Sequence, residues 1–244
     1  MKNVLCNALL LLGLTSNVMV QAESNPFFGK YKTPFETPPF DKIKTEHYEP
    51  AFKRGIAELK EEIEKIANNP EPATFENTIV ALDRSGELLN RVSGAFFNVL
   101  SANANDEMME ISQRISPDLT ESSNNIYLNE KLFARVKAVY DQRQSLNLSV
   151  EDARLLDETY RAFQESGATL SAEDKEKYRA LTTELSLLSL QFDQNALKDQ
   201  NRFEMLLTDE KDIAGLPESI REAAAHLAKE KGKEGWLFTL DAPS

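Results

Sequence analysis

The chain has 244 residues, 41% of them hydrophobic and 28% charged, an ordinary soluble balance with room for one large or two small domains. Its formal net charge of −12 excludes a general nucleic-acid surface, which needs clustered Lys and Arg.

Residues 1–22 read as a secretory signal. Lys2 is a thin positive start, residues 4–14 are mostly apolar, and Val20-Gln21-Ala22 offers a cleavage site. The apolar run is too short to span a bilayer, so no stable membrane anchor is expected after cleavage. Cys6 is the only cysteine and leaves with the signal. The mature chain is therefore expected to be exported, to the periplasm or outside the cell, and to hold together by packing without disulfides.

Residues 23–45 carry Pro26, Pro34, Pro38 and Pro39 among Phe27, Phe28, Phe35 and Phe40. Proline fixes φ and removes a donor, which predicts an extended arm. The four phenylalanines require burial, so the arm is expected to lie over a helical body. A Pro-rich ligand for another domain is the alternative, but its spacing is irregular.

Helices are expected from there on. The first spans about 50–67, with Phe52, Ile56, Leu59, Ile63 and Ile66 inside. Pro70 and Pro72 end it, and Thr74 caps the next helix. Asn77 stands where a capping box has Glu or Gln, so the box reads as imperfect. Ile79, Leu82, Gly86, Leu89, Ser93, Phe96 and Leu100 then follow in alternating steps of three and four, one stripe of a long helix. Gly86 and Ser93 leave room for another helix to come close.

Asp106 is expected to cap a third helix carrying Met109, Ile111 and Ile115, kinked or restarted at Ser116-Pro117. Asn129 caps a helix with Leu132, Phe133, Val136, Val139 and Tyr140 inside. Ser149 caps another with Leu155, Leu156, Tyr160 and Phe163, closed by Gly167. Ser171 opens a long helix with a second stripe, Tyr178, Leu181, Leu185, Leu188, Phe192 and Asn195, and such stripes ordinarily face a core. Two short strands, near 203–207 and at 236–240, flank a helix that starts at Pro217 and carries Ile220, Ala224 and Leu227 inward. The fold class expected is all-α, long antiparallel helices with an extended amino-terminal arm and a short β element near the carboxy terminus. Its divisions are 1–22 signal, 23–45 arm, 46–235 helical domain and 236–244 a strand leading onward.

Chemistry is sparse. His47 and His226 are the only histidines, and neither belongs to a His-Glu-x-x-His motif. A zinc site would need both with carboxylates, which ligand spacing disfavours. Gly-x-Ser-x-Gly and phosphate-cradling glycine loops are absent. Glu61, Glu62 and Glu64, or Glu173, Asp174 and Glu176, read as solvated helix faces. No catalytic, metal-binding or substrate-binding residue can be named.

The string Thr74-Phe75-Glu76-Asn77-Thr78-Ile79 with Ala81-Leu82 resembles the amino-terminal region of the thimet oligopeptidase and peptidyl-dipeptidase family of zinc metallopeptidases. Pro39-Phe40-Asp41-Lys42-Ile43, Phe96-Phe97-Asn98, Asn129-Glu130-Lys131-Leu132-Phe133, Phe163-Gln164-Glu165-Ser166-Gly167-Ala168, Phe192-Asp193-Gln194-Asn195 and Asp241-Ala242-Pro243-Ser244 fit in the same order. The Pro-Pro-Phe-Asp arm and the signal favour the peptidyl-dipeptidase branch, which removes carboxy-terminal dipeptides. The resemblance implies a helical wall beside a deep cleft that admits short peptides. It implies zinc for the full-length enzyme, on a motif this chain lacks. The chain by itself is then expected to be inactive, and its expected partner is the missing carboxy-terminal catalytic part. The alternative is an exported, non-enzymatic helical module that binds peptides or a protein.

Overall fold

The computed structural model describes residues 25–103 and 105–240; the expected signal at 1–22 and the closing residues 241–244 lie outside them. The chain divides into two compact units, Met1–Ser186 and Leu187–Ser244.

In the first unit, α1 (Tyr48–Ala67) starts two residues before Pro50. It buries Phe52, Leu59, Ile63 and Ile66 as expected, and Ile56 is half-buried. Phe52 and Tyr48 meet Phe96 edge-on, with ring centroids 5.3 and 5.0 Å apart. Such pairs contribute beyond their buried area.

The arm differs from expectation. It forms short 3₁₀ turns at Pro26–Phe28 and Pro34–Glu36, because proline suits the first position of a turn as well as extended backbone. Phe27 is fully buried, and its carbonyl accepts from Arg91 Nη2 at 2.8 Å. Phe28 lies under the Arg54 guanidinium at 4.4 Å. Phe35 and Phe40 are not buried: Phe35 is 99% exposed. The arm is covered at Phe27 and partly at Phe28 and Tyr31, which pack against the core, and is open at Phe35 and Phe40.

The Thr74 stretch begins with both capping-box bonds made. Asn77 N donates to Thr74 Oγ1 at 3.1 Å, and Thr74 N donates to Asn77 Oδ1 at 2.9 Å. Asn77 Nδ2 also donates to the Pro72 carbonyl at 2.9 Å, which a glutamate could not do. The box is therefore complete with Asn. The expected long helix is not continuous, however. A π turn, Phe75–Val80, passes into one α turn, Ala81–Asp83, and the chain then breaks at Gly86, where φ is +74°. Helix α2 (Glu87–Asn103) restarts beyond it. The break resets the phase, so Leu88, Leu89, Val92, Ala95 and Phe96 are buried and Ser93 and Leu100 are only half-buried.

Helix α3 (Asp106–Tyr127) runs through Pro117. Its cap is Asn105, one residue before the expected Asp106, and Met108 takes the buried place expected for Met109. Helix α4 (Glu130–Asp141) is capped by Asn129 and α5 (Val150–Glu165) by Ser149, both as expected. Gly167, at φ +87°, closes α5: Ala168 N donates to the Phe163 carbonyl and Gly167 N to that of Gln164. This is the Schellman arrangement. Helix α6 (Ala172–Arg202) is the longest and crosses from the first unit into the second.

In the second unit, β1 (Met205–Leu207) and β2 (Trp236–Phe238) pair antiparallel, Met205 opposite Phe238. Between them α7 (Glu218–Glu230) buries Ala224 and Ala228. Ile213, Ala224 and Phe238 form a small core. Leu227, expected inward, is half-buried, and Ala228 takes the inner place.

Glu204, just before β1, accepts from Lys231 and Lys233, and these hydrogen bonds hold its carboxyl at about 2 instead of 4.5. A carboxyl depressed in the folded state stabilises it above the unfolded value, and that stability is lost as pH falls through the folded one. Hydrogen-exchange protection of the β1–β2 amides is therefore expected to decline between about pH 4.5 and 2. In Glu204→Gln this share of the decline should vanish. Because the carboxylate is exposed, added salt should shrink the effect. An unchanged pH profile in the variant would show that the lysines contribute nothing.

Candidate functional site

The two histidines occupy structural and surface positions. His47 closes the turn before α1: its Nδ1 accepts from Lys44 N at 3.0 Å, and its carbonyl accepts from Asn25 Nδ2 at 2.8 Å. His226 is exposed on α7, with Nδ1 3.6 Å from Glu230 Oε1 one turn on. They belong to different units. Among the described residues no group of three or more His, Cys, Asp and Glu side chains could hold a metal ion.

Binding surfaces are present. A cavity of about 560 Å³ in the first unit is lined from α1, α3 and the first turns of α6. Its wall is apolar at Ile56 and Ile63, acidic at Asp118 and Glu121, and basic at Arg179. Arg179 Nη1 donates to Asn125 Oδ1 at 2.9 Å, which fixes one side of the opening. These groups offer both hydrogen-bond donors and acceptors at the cavity wall. They include no imidazole or thiol. A second cavity of about 320 Å³ lies beside Glu49. Hydrogen bonds from Lys53 at 2.8 Å and Arg114 at 2.9 Å hold the Glu49 carboxyl below its usual range. It is a saturated ion-pair partner and not a free base.

One residue that the sequence did not single out organises the first unit. Arg135 of α4 donates through Nη1 to the carbonyls of Asn69 and Glu71, at 3.0 and 2.9 Å. Through Nη2 it reaches Asn77 Oδ1 at 2.9 Å and Thr78 Oγ1 at 3.3 Å. One guanidinium thus clamps both sides of the Pro70–Pro72 turn. Its partners lie 57 to 66 residues away, beyond any local pattern. The cavity residues were illegible for the same reason: Arg179 and Asn125 are 54 residues apart.

The described residues form a helical protein portion with open cavities between its helices and no cluster that could hold a metal ion. No protein-family model matches the chain. Curated relatives do. A dipeptidyl carboxypeptidase of Escherichia coli is 41% identical over 217 residues, 88% of this chain and 32% of its own length. That of Salmonella typhimurium is 41% identical over 218 residues, covering 89% and 32%. Oligopeptidase A of Escherichia coli is 32% identical over 212 residues, covering 87% and 31%. The chain is thus homologous, along one part of their length, to the peptidyl-dipeptidase and oligopeptidase family, with higher identity to the dipeptidyl carboxypeptidases than to oligopeptidase A. It spans about a third of the length of the curated relatives it matches. No helix among the described residues is long and apolar enough to cross a membrane.

Proposed function

We propose that this chain is the amino-terminal, cleft-wall portion of an exported zinc peptidyl-dipeptidase that releases dipeptides from the carboxy end of short peptides. The observation that carries this reading is the 41% identity over 88% of the chain to a dipeptidyl carboxypeptidase. Export rests on the signal read at residues 1–22. Zinc does not fit the residues described here, since His47 is engaged in a turn, His226 stands on another unit beside Glu230, and no group of three or more His, Cys, Asp and Glu among the described residues could hold a metal ion. Three protein ligands and an open position are needed. The catalytic step therefore belongs to a further portion bearing His-Glu-x-x-His. The role of this portion is physical: long packed helices form a wall that admits short peptides and excludes folded proteins.

The test is dipeptide release from a blocked short peptide, with metal analysis on the same sample. The 244-residue chain alone is expected to show neither stoichiometric zinc nor cleavage. A chimera in which it replaces the matching third of the Escherichia coli enzyme is expected to release dipeptides in a chelator-sensitive way. Zinc and chelator-sensitive cleavage by the chain alone would overturn the reading of an incomplete enzyme. The mixed-charge cavity beside Arg179 favours one other reading, a peptide-binding module without catalysis. A folded but inactive chimera, with peptide binding by the chain alone, would select it.

A further inference from the structure

The tip of the amino-terminal arm is apolar, exposed and held in place. Phe35 is 99% exposed and Phe40 52%. A scattered exposed leucine needs no explanation, but Phe35 stands at the apex of a strained turn. Phe35 and Glu36 both have positive φ, 57° and 54°. A bulky residue in this left-handed region is strained, and such strain persists only where neighbouring bonds hold it. Glu36 N donates to the Thr33 carbonyl at 3.1 Å, Thr37 Oγ1 donates to the Pro34 carbonyl at 3.1 Å, and Thr33 Oγ1 donates to the Thr37 carbonyl. Pro34 before the apex and Pro38 and Pro39 after it restrict the backbone further. The base of the arm is fixed as well. Phe27 is buried, its carbonyl accepts from Arg91 Nη2, and the Arg91 guanidinium lies over the Tyr31 ring at 5.1 Å.

The charge around the tip is opposite to that of the whole chain. Residues 29–44 carry Lys30, Lys32, Lys42 and Lys44 against Glu36 and Asp41, all exposed, in a chain of net charge −12. Among the described residues only Lys44 of the four lysines is in an ion pair, with Glu46 at 3.9 Å. Two lysines precede the phenylalanines and two follow them. Aromatic rings flanked by cations match an anionic lipid surface. The rings enter the boundary between headgroups and acyl chains, and the ammonium groups stay at headgroup level. A protein partner fits less well. Two phenylalanines bury roughly 300 to 500 Å² between them even when fully covered, against the roughly 1,000 Å² at which specific protein interfaces begin. A domain that reads proline-rich segments takes an extended backbone with φ near about −75°. The positive φ at Phe35 and Glu36 interrupts that backbone.

We propose that the arm tip, Phe35 and Phe40 with Lys30, Lys32, Lys42 and Lys44, is a reversible contact for an anionic lipid surface. It is a contact made by side chains and not a membrane-spanning anchor. The proposal stands on the first unit alone and does not depend on the peptidase reading.

The test uses the chain from residue 23, which keeps every described residue and lacks the apolar residues 4–14 that would bind lipid by themselves. It is sedimented with vesicles of phosphatidylcholine alone, or mixed equally with phosphatidylglycerol, at about 0.1 M salt. Binding is expected to the mixed vesicles and not to the neutral ones. Phe35→Ser with Phe40→Ser should weaken it about tenfold or more, and Lys30→Gln with Lys32→Gln by about the same factor. Val150→Ser removes another exposed apolar side chain of the same unit and should leave binding unchanged. Circular-dichroism melts of these variants should match that of the parent, because every residue changed is exposed. No binding to the mixed vesicles would overturn the proposal. So would equal binding to the neutral vesicles, or binding that survives the phenylalanine pair. A dimer of the chain that the phenylalanine pair dissolves would assign the tip to a second copy and overturn the proposal too.

Discussion

Gly55→Leu is expected to destabilise the chain by about 3 kcal/mol, and Gly55→Ala to destabilise it as well. The second result is the more telling. Alanine is a better helix former than glycine by about 1 kcal/mol, so helix propensity alone predicts a gain at this α1 position. Packing reverses the sign. A Cβ at Gly55 would stand 2.9 Å from the Cα and 3.0 Å from the backbone N of Leu89 in α2. Those atoms belong to a helix backbone and cannot swing aside as a side-chain end can. The pair of helices must separate, and the edge-on contacts of Phe52 and Tyr48 with Phe96 separate with them. A urea melt followed by circular dichroism checks this. A Gly55→Ala variant that is more stable than the native chain would mean that α1 and α2 yield at this point.

Gly86→Leu is expected to cost about 3 kcal/mol as well, from two sources that a second variant separates. The backbone at Gly86 has φ of +74°, where a branched side chain is strained. A Cβ there would meet Leu59 Cδ1 at 3.3 Å, and the larger side chain would displace Leu59 from the core. The amide of Gly86 donates to Glu62 Oε2 at 2.7 Å, so relaxation of the turn would also weaken that bond. Gly86→Asn keeps most of the left-handed tolerance and adds little bulk, and should lose about half as much or less. Equal losses for Leu and Asn would mean that φ alone decides the position. A melt of Gly86→Leu at native stability would mean that the turn opens freely.

The two glycines show how far local pattern reaches. Gly86 lies on an alternating three-and-four stripe and reads as a residue inside one long helix. The structure makes it the turn at which the helix breaks, because its positive φ cannot continue an α-helix. The true point of close approach, Gly55, carries no local signal, since its meaning depends on Leu89 34 positions later. Caps were legible at Thr74, Asn129 and Ser149, because a cap involves residues three apart. The Schellman closure at Gly167 was legible for the same reason. The arm was half legible: proline marks non-helical backbone, but only contact with α1 and Arg91 decides which phenylalanine is buried.

Local chemistry in the amino-acid sequence by itself determined most of the helices and their caps, the two short strands and the likeness to peptidyl-dipeptidases, since these depend on residues within a few positions or on ordered short strings. Tertiary structure alone decided the Arg135 clamp, the Arg179–Asn125 edge of the cavity and the Gly55–Leu89 contact, each joining residues more than 30 positions apart. It also decided the direction of α6. Periodicity says that a helix has an apolar face, but only its neighbours say whether that face is covered. Here Asn124, Asn125 and Glu130 take the polar side, and the Leu181–Phe192 stripe is left to the solvent.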